Sequence, residues 1–255
     1  MKPKTQLACG LLLCGLAAMA SPAAAVVPVT FGTSWDGPSA TLQAFLDTRY
    51  GAGAVNVTTD YIGAHPGDLD PWFWVGSSFP AMLIKEVAGN SKRNTVGWYL
   101  ETGTKPVLTS ANSGVVFDGP ATAGASTFVT LPSSMTKFGF WMNPNGPYNA
   151  SNAPEPETFF TNRFYNDIGP DGSGALHPPY DGDVQALIFD VSKWDGPNSW
   201  LVCFEDCDSG AMPGLPASGA QTDNDFNDFV FEITAFGATP VKAVSFGQIK
   251  AMYQK

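Results

Sequence analysis

The sequence TDNDFNDFVFEI, from Thr222 to Ile233, joins two patterns of different chemistry. Its second half opens the run Phe229–Ala235, which is rich in aromatic and β-branched residues and so predicts a buried strand. Its first half carries oxygen-bearing side chains, three of them two residues apart. Residues two apart face the same side of an extended segment, so we expect these side chains to point together. They are Asp223, Asp225 and Asn227, with Asp228 directly after them.

A second acidic group follows another predicted strand, Ser199–Phe204. Glu205 and Asp206 come directly after it, and no Lys or Arg lies between the two groups. If the two strands pair, the carboxylates converge, and converging carboxylates repel unless they stay hydrated or bind a cation. Oxygen ligands of mixed charge, about six to eight in number, suit Ca²⁺ better than Mg²⁺ or Zn²⁺. The predicted calcium ligands are Glu205, Asp206, Asp223, Asp225, Asn227 and Asp228.

Two other interpretations of the acidic motif were considered. The spacing D-x-D-x-N opens like an EF-hand loop, but its sixth position is Asp228 rather than Gly and its twelfth is Thr234 rather than Glu. A strand pattern follows it where an EF-hand would have a helix. The alternative is a hydrated acidic turn that keeps the protein soluble. The second acidic group and the lack of a basic partner favour the cation.

Composition limits the partners of the chain. Its 255 residues include 13 Lys and Arg against 23 Asp and Glu, which gives a net charge of −10. Such a surface repels nucleic acid phosphates and anionic membranes, whereas it attracts divalent cations. We therefore expect no nucleic acid partner.

The first 25 residues have the pattern of a secretory signal. Lys2 and Lys4 form a basic end, Leu7–Ala20 is apolar, and Ala23–Ala25 is an A-x-A cleavage site, with cleavage after Ala20 as the alternative. We expect a secreted, extracellular or surface protein that keeps no membrane span once the signal is removed. The predicted organisation is a signal peptide over 1–25, a β-sandwich domain with the calcium site over 26–237, and a linker with a short helical tail over 238–255.

Short apolar runs separated by Pro and Gly predict an all-β fold, an antiparallel β-sandwich of jelly-roll type. One helix is expected over Ser39–Tyr50, with Ser39 as its N-cap and Leu42, Phe45 and Leu46 on one face. The predicted strands are Phe73–Val75, Ala81–Val87, Val96–Glu101, Val115–Phe117, Thr127–Leu131, Lys137–Met142, Val184–Val191, Ser199–Phe204 and Phe229–Ala235.

Other polar residues suggest secondary sites. Cys203 and Cys207 can form a disulfide in an oxidising compartment, provided that the chain turns between them. Trp72 and Trp74 can stack on a sugar ring, with packing in a core or an interface as the alternative. A second metal site, for which plain turns are the alternative, would use Asp167, Asp171, Asp181 and Asp183.

Several segments carry a resemblance to a known family. WLVCFED at Trp200–Asp206, DNDFNDFVFEI, FGFWMNPNG, ALIFDV and DPWFWVGSSFPAMLIKEVAGNSKRNTVGWY resemble a secreted bacterial β-sandwich domain of uncharacterised function. That domain occurs in surface adhesins and in exported proteins with C-terminal sorting signals. The resemblance covers most of Phe31–Phe236 and implies a non-catalytic role in adhesion or in matrix and surface assembly.

The acidic motif is also similar to the metal segment of bacterial calcium-mediated lectins that bind fucose and mannose. That resemblance implies Ca²⁺ as cofactor and these ligands: Glu205, Asp223, Asp225, Asn227 and Asp228. The lectins have almost no loop between the two acidic parts, whereas Cys207–Gln221 intervenes here. A calcium-dependent carbohydrate-binding protein is therefore the alternative function.

A secreted glycan hydrolase is the second alternative, since paired carboxylates can serve glycoside hydrolysis. The chain has two His residues, His65 and His177, and no G-x-S-x-G motif, so a Ser-His-Asp triad is not expected. Our expectation is a calcium-binding protein that is not an enzyme.

Overall fold

The structure is a computed structural model, and it describes residues 29, 31–32, 34, 36–64, 72–75, 77–87, 94–132, 136–144, 158–166, 184–206 and 223–237. In chain order the elements are α1 (Leu42–Tyr50), β1 (Phe73–Val75), β2 (Ser78–Glu86), β3 (Thr95–Leu100), β4 (Ser113–Phe117), β5 (Ser126–Thr130), β6 (Thr136–Asn143), β7 (Phe159–Phe160), a 3₁₀ turn (Arg163–Tyr165), β8 (Ala186–Asp190), α2 (Ser192–Asp195), β9 (Ser199–Phe204), β10 (Phe229–Thr234) and β11 (Phe236–Gly237). The predicted all-β class is confirmed.

The strands form two antiparallel sheets. One sheet has the order β11-β1-β6-β3-β4, with β7 pairing to β6, and the other has the order β5-β2-β10-β9-β8. The strand pairs are antiparallel throughout the described residues. In the five-stranded sheet β10 lies between β2 and β9, so the strand that follows the acidic motif is central rather than at an edge.

The inner faces of both sheets share one apolar cluster. Phe79 of β2 stacks on Phe138 of β6 with 4.8 Å between ring centroids, and Phe140 of β6 meets Phe231 of β10 at 5.0 Å. All four rings are fully buried. Burial of each such side chain stabilises the fold by roughly 1.5–3 kcal/mol, so these rings hold the two sheets together.

The other face of the five-stranded sheet is covered by α1 and the segment after it. Alternate residues of β10 divide between the faces, since Phe231 joins the shared cluster whereas Val230 packs toward Leu42 and Leu46 of α1. Both Leu residues are buried as predicted, and Phe45 is partly buried beside them. The helix therefore lies over the strands that carry the acidic motif.

The N-cap of α1 is Thr41, so the predicted cap at Ser39 is wrong. The Thr41 hydroxyl accepts a hydrogen bond from the Ala44 amide at 3.1 Å, which is the usual role of an N-cap side chain. The carbonyl of Ala40 accepts instead from Lys85 and Asn227 side chains. The neighbouring acidic loop therefore determines the turn before the helix.

Each predicted strand is present, with ends that differ by a few residues. The sequence did not reveal β7, β11, α2 or the 3₁₀ turn, since elements of two to four residues are too short to show a period. The predicted signal peptide and C-terminal helix lie outside the described residues. Within the described part of the chain, no helix is long and apolar enough to span a membrane.

Candidate metal centre

The pairing of β9 with β10 brings the two acidic groups together, as the sequence predicts. Phe204 at the end of β9 is directly opposite Phe229 at the start of β10. The chain that leaves β9 at Glu205 therefore meets the chain that enters β10 at Asp228. Five of the six predicted ligands are buried, with exposures from 0% for Asn227 to 7% for Asp228, and Asp223 is half-buried.

The carboxylates form two groups that share Glu205. One contains Glu205, Asp223 and Asp225, and the other contains Glu205, Asp206 and Asp228. In each group one oxygen from every residue lies within 4.8 Å of the others. Oxygens that share one Ca²⁺ at roughly 2.4 Å each lie no more than about 4.8 Å apart, so both groups meet the distance limit for a shared cation. The described structure thus gathers every predicted carboxylate of the main site.

The backbone of the motif is not the extended segment that the sequence suggested. Asn224 and Phe226 have φ angles of 49° and 56°, in the left-handed region that residues other than Gly seldom adopt. The ring of Phe226 is fully buried and lies 5.8 Å from that of Phe31. The ring packs in the apolar cluster beneath α1. A coiled loop rather than a straight strand therefore gathers Asp223 and Asp225.

Backbone amides support the carboxylates from within the site. Glu205 Oε2 accepts from the Phe226 amide at 3.1 Å, and Asp228 Oδ2 accepts from the Asp206 amide at 2.7 Å. These two hydrogen bonds connect the end of β9 to the loop before β10. They orient the carboxylates but do not neutralise them.

The side chain of Asn227 has one satisfied end and one unsatisfied end. Its Nδ2 donates to the Ala40 carbonyl at 2.8 Å and to Asp225 Oδ2. Its Oδ1 is buried and has no hydrogen-bond partner within the described residues. A buried carbonyl oxygen without a donor is costly, and a cation would satisfy it. The unsatisfied Asn227 Oδ1 therefore indicates a cation site independently of the acidic charges.

Lys85 is a nearby cation that no pattern in the sequence indicated. It lies on β2, where it is opposite Val230 of β10, and its Nζ donates to the Ala40 carbonyl at 2.9 Å. Burial lowers the pKa of Lys85, and the charges of Asp225 and Asp36 oppose that shift. Lys85 therefore brings one positive charge close to the acidic loop.

The N-terminal segment also closes over the acidic loop. Gly32 donates from its amide to the Asn224 carbonyl at 3.2 Å, and a Cβ at position 32 would lie 1.9 Å from the Asp223 carbonyl oxygen. Only Gly fits this close approach. This close approach could not be predicted from the sequence, because residue 32 is distant from the motif along the chain.

Burial and neighbouring negative charges raise the pKa of two carboxyl groups in the site. The pKa of Asp228 is raised well above its ordinary value, first by burial and then by Glu205 and Asp206. The pKa of Asp225 is also raised by burial, although the hydrogen bond from the Asn227 amide opposes the shift. Both shifts mean that negative charge is disfavoured in the folded protein without a cation.

Without calcium, the protein is expected to lose stability as the pH rises from about 4 toward 7. The ordinary carboxylate pKa of about 3.9 applies to Asp228 in the unfolded chain, and the raised pKa applies in the folded protein. Between these values the folded state binds more protons than the unfolded state, so stability falls with increasing pH. Thermal melts in chelator across this pH range measure how steeply the stability falls with pH.

The same melts with saturating calcium serve as the control. Protons compete with the cation for the carboxylates, so the slope should become less negative or change sign. Equal slopes with and without calcium would contradict the assignment of the pH dependence to this site.

The remaining predicted site residues lie elsewhere or outside the described part of the chain. Trp72 and Trp74 are half-buried, and the Lys137 ammonium lies 3.2 Å from the Trp72 ring centroid, a cation–π contact. Stacking of a sugar on these rings stays a prediction. The residues of the second metal site, Asp167, Asp171, Asp181 and Asp183, lie outside the described residues.

The Cys203 side chain of β9 is fully buried, it forms no disulfide with another described residue, and burial raises the pKa of its thiol. It packs in the apolar cluster beneath α1. Its predicted disulfide partner Cys207 lies outside the described residues, so the pairing stays a prediction.

The chain was compared with protein-family models, with curated proteins and with solved structures, and none of them matches it. The resemblances that the sequence suggests therefore stay predictions. The geometry of the site is the basis for a function.

Proposed function

We propose that this protein is a secreted, calcium-binding β-sandwich protein without catalytic activity that serves bacterial adhesion or matrix and surface assembly. The observation that carries the proposal is the buried acidic cluster at the ends of β9 and β10, together with the unsatisfied Oδ1 of Asn227. Export rests on the signal pattern of residues 1–25, and the role in adhesion rests on the family resemblance.

Contacts between the sheets support the β-sandwich. The ring pairs Phe79–Phe138 and Phe140–Phe231 each join one sheet to the other through the shared cluster. Such interdigitation of inward-facing residues is what holds a sandwich together. The strand connections within the described residues fit the same arrangement.

The choice of calcium follows from the donor atoms. Both groups offer carboxylate oxygens, and Asn227 adds a neutral carbonyl oxygen. Neither group contains His or Cys, which Zn²⁺ prefers. Mg²⁺ requires a small and nearly octahedral shell and keeps several waters, which a buried site with many carboxylates does not favour. Ca²⁺ accepts irregular shells of six to eight oxygens.

Burial supports a structural role for the metal. The carboxylates of Glu205, Asp206 and Asp225 are at most 5% exposed. A lectin-like site needs a coordination position that a sugar hydroxyl can reach, and a hydrolase needs carboxylates that contact its substrate. A cation surrounded by buried protein oxygens instead joins β9 to the loop before β10, which stabilises the domain.

Calorimetric titration of metal-stripped protein with Ca²⁺ tests the proposal. We expect saturable binding, with one cation for each carboxylate group if Glu205 bridges two. Asp225→Asn should weaken binding by about tenfold or more, since it removes a charged ligand. The matched control is Asp47→Asn on α1, where the carboxylate bonds to Gln43 and Gly53 and should leave binding unchanged.

Absence of any binding at millimolar Ca²⁺ would overturn the proposal. A glycan array with and without chelator separates the structural role from a lectin-like one, because only the lectin would give calcium-dependent glycan signals. Turnover of polysaccharides would instead favour the hydrolase.

A further inference from the structure

Asn94 connects the second sheet to the acidic cluster. It directly precedes β3 in the six-stranded sheet and is fully buried. Its Nδ2 donates to Asp206 Oδ2 at 3.2 Å, and Asp206 follows β9 in the five-stranded sheet. Nothing in the sequence analysis identified this residue, because it is distant from the acidic motif along the chain.

The carbonyl oxygen of the Asn94 side-chain amide is buried and, in the part of the chain that the structure describes, has no hydrogen-bond partner. Its own amide group contacts one of the carboxylates in the group of Glu205, Asp206 and Asp228. A half-turn about the last side-chain bond would exchange the positions of Oδ1 and Nδ2, which differ little in shape. The oxygen would then lie about as far from Asp206 Oδ2 as the nitrogen does now.

That separation suits two ligands of one cation. Two oxygens that each lie about 2.4 Å from a Ca²⁺ ion, at roughly a right angle or less, are about 3 Å apart. Without a cation, an N–H is the favourable group to present to a carboxylate, which explains the present orientation. With a cation, the oxygen is the favourable group, because the cation supplies the partner that Asn94 Oδ1 lacks.

We infer that Asn94 Oδ1 is a calcium ligand in the group of Glu205, Asp206 and Asp228. The inference rests on the proposed function and extends it, since the cation would join the two sheets and not only β9 and β10. Calcium at this position would stabilise the packing of one sheet on the other.

Terbium luminescence in H₂O and D₂O tests the inference, since it counts the waters bound to a lanthanide that occupies a calcium site. Asn94→Ala is expected to gain about one bound water and to weaken Ca²⁺ affinity by at least about tenfold. Asn94→Asp keeps an oxygen at this position and should restore the wild-type water count. The matched control is Asn166→Ala, a buried Asn whose amide bonds to the Phe160 backbone, and it should leave the water count unchanged.

The outcomes separate the inference from the proposed function. An unchanged water count and affinity in Asn94→Ala would overturn the inference, because Asn94 would then only donate a hydrogen bond, while the calcium site would stand. Wild-type protein that binds neither Ca²⁺ nor Tb³⁺ would overturn the proposed function itself. If Asn94→Ala does not fold, Asn94→Asp decides: a ligand gains Ca²⁺ affinity, whereas a mere donor to Asp206 loses stability without any gain in affinity.

Discussion

Millimolar Ca²⁺ is expected to raise the melting temperature of the protein by about 5–10 °C over its value in chelator. A ligand that binds only the native state stabilises it by RT ln(1 + [Ca²⁺]/Kd), which is about 2.7 kcal/mol at a hundredfold excess over Kd. A domain of this size gains roughly 2–4 °C for each kcal/mol. The physical source is the repulsion among the buried carboxylates of Glu205, Asp225 and Asp228, which the cation removes.

Differential scanning calorimetry measures this shift, and three comparisons make it specific. Mg²⁺ should give a smaller shift, because its compact shell fits the groups poorly. Asp225→Asn should lose most of the response, whereas Asp47→Asn should keep it whatever its own melting temperature is. Identical melting in Ca²⁺ and in chelator would mean that the acidic stretch is only a hydrated turn.

Local patterns were sufficient to predict most of the fold. Strands such as Ser199–Phe204 carry long apolar runs, and β3 is rich in aromatic and β-branched residues, so their positions follow from side-chain chemistry alone. The pairing of β9 with β10 was indicated by the two acidic groups, which converge if their strands are neighbours. The order of strands in each sheet could not be predicted, since it depends on contacts between segments distant along the chain.

The ends of α1 show where local chemistry is insufficient. Ser39 and Thr41 are both good N-cap residues, and sequence cannot choose between them. The choice depends on Ala40, whose carbonyl bonds to Lys85 and Asn227 across the fold. A tertiary contact therefore displaced the predicted start of the helix.

The site was predicted in part for a similar reason. Its carboxylates are concentrated in two short segments, so the clustered acidic residues of the sequence predict Glu205 and Asp228. Lys85 lies on β2 and Asn94 directly precedes β3, and nothing near either residue in the sequence marks it. The left-handed turns at Asn224 and Phe226 were also hidden, because burial of the Phe226 ring, and not the intrinsic preference of the residue, holds that conformation.

Asp228→Asn is expected to have opposite effects in the two conditions. In chelator at neutral pH the variant should be more stable than wild type by about 1–3 kcal/mol, since replacing a buried unpaired charge by a neutral group of similar shape relieves it. Charged Asp228 repels Glu205 and Asp206, and protonated Asp228 must take up a proton at a pH where the unfolded chain would not. Either form costs stability that Asn avoids. The carbonyl of Asn can still accept from the Asp206 amide.

In saturating Ca²⁺ the order should reverse, because the variant has lost a charged ligand and gains little from the cation. Chemical unfolding of both proteins, with calcium and with chelator, measures the four free energies that this comparison needs. Asp223→Asn is the matched control: Asp223 is half-buried, so its neutralisation should change the stability in chelator much less. If Asp228→Asn changes the stability equally in both conditions, Asp228 is not a ligand of the cation. The buried charge would then not be what the cation neutralises.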